Sequence, residues 1–112
     1  MDISRLARRG YISRMNREQA LAILCRLRSS LEARGIAHAA LFGSLARNDG
    51  GPRSDIDVVL TPEKGRRLDL FDLGGVQTVL EEGFGIEVDV VVEPVRKPEL
   101  RKAIERDRAD AF

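Results

Sequence analysis

Two aspartates, Asp55 and Asp57, flank Ile56 at the head of the apolar run "DIDVVL". Side chains alternate across a strand, so both carboxylates share one face while Ile56, Val58 and Leu60 occupy the other. Two strand rises, roughly 6.6 Å, separate the two backbones. Carboxylates that close repel, and burying either is costly without a cation between them. A divalent metal removes the conflict. Oxygen ligands suit Mg2+, which takes one or two protein carboxylates and completes its shell with water and phosphate oxygens. A later run, "IEVDVVVE" (86–93), repeats the pattern with Glu87, Asp89 and Val91 on one face and Ile86, Val88 and Val90 on the other. If the two strands are neighbours, Asp89 or Glu87 stands beside the Asp55–Asp57 pair. Three carboxylates on one sheet face can hold two metals about 4 Å apart, the arrangement that clamps the attacking and leaving oxygens of an in-line phosphoryl or nucleotidyl displacement.

A second group supplies an anion site. In "LFGSLAR" (41–47), Gly43 and Ser44 fall where an apolar run turns into a short helix. Gly43 permits close approach of a ligand to the backbone, and Ser44 is a suitable N-cap. Free N–H groups at such a start suit phosphates. Arg47, three residues on, lies on the same side as Ser44 and can reach the same anion. Each piece alone has a commoner use: a helix cap, an exposed strand end, a polar face residue. Their conjunction at these spacings is what points to phosphate and metal chemistry.

The elements that must carry these groups are legible at coarse grain. Asn16 with Gln19 resembles a capping box, and Ala20, Leu24, Leu27 and Leu31 recur at helical spacing until Gly35. "IAHAALF" (36–42) reads as a short buried strand; its lone histidine, His38, is expected at a strand edge rather than in a site. "NDGGPRS" (48–54) is dense in turn residues. Residues 55–61 form a second strand, 68–83 a helix weakened by Gly74 and Gly75, and 86–93 a third strand. Pro98 suits the first turn of a last helix with Leu100, Ala103 and Ile104 inward. The expected class is α/β (α+β), a small mixed sheet of about three strands covered by helices.

Composition sets the bounds. The 112 residues make one domain, with residues 1–15 as a basic extension (Arg5, Arg8, Arg9 and Arg14 against Asp2) and 16–112 as the folded unit. A third of the residues are charged, yet the net charge is +1, which argues against a dedicated duplex nucleic-acid binder. Few aromatics and no tryptophan argue against single-strand stacking, so nucleic acid is not an expected partner. The single cysteine, Cys25, excludes an internal disulfide and is expected as a small core thiol. No long apolar stretch and no signal-peptide core occur, so a cytoplasmic protein without membrane association is expected.

"FGSLAR", the ten residues from Ser44 to Asp55, "SDIDVVL" and "IEVDVVV" together resemble the nucleotidyltransferase superfamily that includes polymerase beta. The match is to its minimal nucleotidyltransferases, single domains of about this length that act as antitoxins beside HEPN-domain toxins, and it covers residues 16 to about 106. The resemblance implies a polymerase beta palm-like fold. It also implies that Gly43, Ser44 and Arg47 contact a triphosphate, that Asp55 and Asp57 bind two Mg2+ ions, and that Asp89 completes the site and helps deprotonate the acceptor. The implied reaction is transfer of AMP from ATP to a hydroxyl, a tyrosine of the HEPN toxin. The alternatives are an antitoxin that neutralises its partner by binding alone, or a nucleotidyltransferase acting on RNA or a small molecule.

Overall fold

The computed structural model describes residues 15–48 and 55–112. All of the basic extension (1–15) but its last residue, and most of the turn segment read from 48–54, lie outside them. In chain order the elements are α1 (Arg17–Arg26), α2 (Arg28–Ala33), β1 (Ile36–Phe42), α3 (Gly43–Ala46), β2 (Ile56–Pro62), α4 (Leu70–Phe84), β3 (Val88–Val92), α5 (Pro98–Asp107) and β4 (Ala109–Asp110). The class is the one expected, with one strand more.

β1 carries Ala39, Ala40 and Leu41 with no exposure and Phe42 nearly buried, so it needs cover on both faces. It lies inside a sheet of order β3-β2-β1-β4. β1 runs antiparallel to β2 and to β4, whereas β2 and β3 are parallel. Parallel neighbours need a crossover, and α4 is that crossover. On one face Ala39, Leu41, Ile56, Val58, Leu60 and Val88 pack against Leu24, Leu31, Val76, Leu80 and Phe84 of the helices. On the other, Ala40, Phe42 and Val59 pack against Ile104 of α5, with Val91 and Leu100 beside them. The acidic residues of β2 and β3 belong to this second, less crowded face, since Asp57 alternates with Val58 and Asp89 with Val88.

Local chemistry explains the helix ends. Asn16 and Gln19 close the expected capping box on α1, the side chain of each accepting from the other's backbone N–H at 2.8 and 3.0 Å. Asp69 and Asp72 do the same for α4. Four readings need correction. The helix read from 16 to 35 is two helices meeting at Leu27, whose N–H is shared between the carbonyls of Ile23 and Leu24, tightening the turn there. Cys25 is exposed rather than a core thiol, because Ala20, Leu24 and Leu31 set the inner face and Cys25 falls round from it. Its Sγ donates to the Ala111 carbonyl at 3.2 Å. β4 went unread because two residues give no periodic signal. His38 is exposed, but on the inner strand β1 rather than at a sheet edge.

The glycines of α4 answer to packing. An added Cβ at Gly83 would lie 2.5 Å from Leu27 Cδ1, and at Gly75 it would meet the Arg34 guanidinium. Each admits a side chain from α1–α2 or the turn after them, so their helix-propensity cost is offset by close approach.

Leu80 is fully buried between α4 and the sheet. Leu80→Ala is expected to lower unfolding free energy by about 2–4 kcal/mol, read from urea midpoints. A loss below about 1 kcal/mol would contradict the packing described.

Candidate active site

The site begins where β1 ends. Phe42 pairs with Asp57 across the antiparallel ladder, and the next residue, Gly43, takes φ +75°. That is left-handed backbone, which favours glycine. A Cβ at Gly43 would also lie 2.5 Å from Asp57 Oδ2. Glycine is therefore required twice, by conformation and by space, and the Gly43–Ser44 turn lies directly against the Asp57 carboxyl. Ser44 is not the cap expected from sequence: the extended Phe42 holds the N-cap position, with no side-chain hydrogen bond, and Ser44 is the second residue of α3.

The parallel register sets Asp57 directly opposite Asp89. This decides between the two acidic residues of the third strand, because Glu87 precedes β3 and Asp89 is the cross-strand partner. Asp55 stands just ahead of β2, exposed, as is Asp89; Asp57 is half-buried. Burial pushes the Asp57 carboxyl up to about 6, and the charges of Asp89 and Asp55 and a hydrogen bond with Asp89 push the same way. Desolvation leads because the carboxyl sits under the Gly43 turn, and like-charge repulsion adds to it.

Among the described residues, no three acidic, histidine or cysteine side chains converge as a ready metal cage. Asp57 and Asp89 alone face each other closely, with Asp55 near enough to be felt electrostatically. Two carboxylates held against their own repulsion form an all-oxygen donor set suited to one hard divalent cation, which asks no more of a protein when phosphate and water supply the remaining ligands.

Arg47 follows α3 and is exposed on its outer side, yet anchored: its Nη1 donates to Asp107 Oδ2 at 2.6 Å. Asp107 also accepts from Arg106 Nε at 2.9 Å. The Arg106 hydrogen bond, then that of Arg47, holds the Asp107 carboxyl below its usual range against desolvation. Arg17 Nη1 donates to the Ala46 carbonyl at 3.3 Å and so ties α3 to α1. Sequence reasoning missed Asp107. It sits 60 residues from Arg47, and only an aspartate one turn beyond the buried Ile104 marked it.

Carboxylates opposed across parallel strands, a glycine turn pressed on one of them and an arginine one turn on stand together at one end of the sheet. The chain belongs to the nucleotidyltransferase domain family, whose model matches residues 24–111. It is 38% identical over 78 residues, 70% of this chain and 82% of the relative, to a candidate protein adenylyltransferase of Methanocaldococcus jannaschii. A solved candidate minimal nucleotidyltransferase superposes with TM-score 0.64 at 30% identity, covering 86% of this chain and 96% of that one. A chain from the complex of tri-AMPylated Shewanella oneidensis HEPN toxin with MNT antitoxin superposes with TM-score 0.61, covering 86% and 71%. Its 16% identity makes that a likeness of fold. The family is that of an enzyme, a nucleotidyltransferase.

The raised Asp57 carboxyl has a consequence for stability. The native state binds this proton more tightly than the unfolded state, so the contribution is fully present below about pH 4 and is lost as pH rises through about 6. Asp57→Asn removes that loss. In metal-free buffer at pH 7 the variant is expected to be more stable than the parent by on the order of 1–2 kcal/mol, after discount for a half-exposed group. Near pH 4 the gain should vanish. Denaturation midpoints across this range test it; a gain independent of pH would contradict the assignment.

Gly43→Ala is expected to act the other way. Left-handed backbone costs an alanine about 1–2 kcal/mol, and the added methyl must displace the Asp57 carboxyl. Thermal melts that match the parent would show that the turn can relax away from Asp57.

Proposed function

We propose that this chain is a Mg2+-dependent protein adenylyltransferase that transfers AMP from ATP to a hydroxyl, a tyrosine, of a partner HEPN-type toxin, and so acts as its antitoxin. The observation that carries this reading is the opposition of Asp57 and Asp89 beside the Gly43 turn. The relative named as an adenylyltransferase and the fold likeness to the AMPylated toxin–antitoxin complex support the acceptor class.

In this reading Asp57 and Asp89, joined by Asp55, hold the metal, and the backbone at Gly43 and Ser44 receives the triphosphate with Arg47 beside it. Bound Mg2+ supplies Lewis-acid polarisation of the α-phosphate and charge neutralisation on the departing pyrophosphate. The chain's own residues do the rest. The left-handed Gly43 lets phosphate oxygens approach main-chain N–H groups that a side chain would screen. Asp89, exposed at the strand edge, lies where an acceptor hydroxyl can arrive and takes its proton as the oxygen attacks phosphorus. The bond from the α-phosphorus to the bridging oxygen breaks, pyrophosphate leaves, and an AMP ester remains on the acceptor.

Asp55 and Asp89 are both exposed, which leaves the acceptor side open to a macromolecule. The chain alone is therefore expected to bind ATP but turn it over slowly, since among the described residues nothing on that side positions a hydroxyl in line. Mixed with a partner HEPN-type toxin, ATP and Mg2+, it should add AMP to a tyrosine of that partner, read by intact-mass spectrometry and peptide mapping. Asp57→Asn should abolish the mass gain. A partner that is inhibited with its mass unchanged would overturn the catalytic reading in favour of neutralisation by binding.

A further inference from the structure

α3 is four residues long, too short to fix its own geometry, and Arg47 is its C-cap. Arg47 N–H bonds the Gly43 carbonyl at 3.2 Å, so the main chain sets where its side chain starts. Asp107 bonds its far end. That side chain is 2% exposed, whereas Arg47 is 40% and Arg106 69% exposed. An aspartate is rarely this buried unless paired. Here one carboxylate meets two guanidiniums: Oδ2 accepts from Arg47 Nη1 at 2.6 Å and from Arg106 Nη2 at 3.3 Å, and Oδ1 from Arg106 Nε at 2.9 Å. The exposed side of the cluster is the arginine side.

We propose that Asp107 is a positioning residue that holds the Arg47 guanidinium beside the Gly43–Ser44 turn, so that the phosphates of the nucleotide meet an arginine already ordered. The inference rests on the reading of Arg47 as a triphosphate contact. An unheld arginine loses its rotamer freedom when the anion arrives, and one anchored from below has lost it on folding. A guanidinium carries five donors, so one bond through Nη1 to a buried carboxylate does not exhaust it. α5 thereby reaches the nucleotide site from its C-terminal end, although no residue of α5 belongs to the carboxylate cluster.

ATP affinity in Mg2+, measured by calorimetry on the full chain, tests this with Arg47→Ala, Asp107→Asn, Asp107→Glu and the double variant Arg47→Ala/Asp107→Asn. Asp107→Asn is expected to weaken ATP by about five- to tenfold, the scale of one charge-assisted contact. Asp107→Glu should recover most of that. In the Arg47→Ala background Asp107→Asn should add no more than about twofold, because the residue it positions is gone. Melting temperatures of each variant, and Asp107→Ser as a parallel truncation, separate a folding defect from a binding defect. Full ATP affinity in Asp107→Asn and Asp107→Ser while Arg47→Ala is weakened would overturn the positioning role, as would losses that multiply in the double variant. Full affinity in Arg47→Ala would remove Arg47 from the phosphate site and the proposal with it. Failure of AMP transfer to the partner, with these affinities as expected, would fall on the acceptor assignment alone.

Discussion

The parallel pairing of β2 with β3 sets Asp57 against Asp89, and most of the architecture serves that juxtaposition. Two carboxylates facing each other across a ladder are held there at a cost: the Asp57 carboxyl is raised to about 6, by burial first and then by the charges of Asp89 and Asp55. Hydrophobic burial on the opposite side of the same strands holds them in place: Ile56, Val58 and Val88, the neighbours of the two aspartates, are all in the main core. A slip of one residue in either strand would turn the acids inward and the valines outward. The register is therefore fixed by the apolar residues, and the acids take their positions from it.

α4 makes this pairing possible. It returns the chain to the same end of the sheet, and it does so under close contact with α1, admitted by Gly83. It also occupies the start of β3 directly. Gln77 Nε2 donates to the Val88 carbonyl at 2.7 Å, and Glu81 Oε2 accepts from the Val88 N–H at 3.4 Å. The outer edge of β3 is thus partly blocked immediately before Asp89, which blunts an edge that would otherwise invite another strand. On the other flank the Gly43 turn closes over Asp57. The candidate site is a wedge of backbone and two strand ends.

Much of this could be read from sequence, for identifiable reasons. Strand β1 was legible to the residue because its apolar run is bounded by Gly35 and Gly43. The Asp-x-Asp spacing announced a shared face because strand alternation leaves no other outcome. What stayed hidden was tertiary. Between Glu87 and Asp89 spacing offers no choice; the register of β3 on β2 does. The Arg47–Asp107 pair is an event between α3 and α5, and an aspartate near the end of an otherwise charged helix carries no local mark. The role assigned to Ser44 as a cap failed for a related reason: Gly43 already adopts the turn, so the helix starts one residue earlier than side-chain preference suggests. β4, two residues long, is defined by its pairing with Ala40 and Leu41 and by nothing in its own composition.

The central claim is that the Asp57–Asp89 pair exists to share a divalent cation with nucleotide phosphate. The direct measurement is calorimetric titration of the chain with ATP in Mg2+ and again in EDTA. The account predicts at least tenfold tighter binding with the metal, because without it three acidic side chains repel the triphosphate. Equal affinity in the two buffers would contradict it.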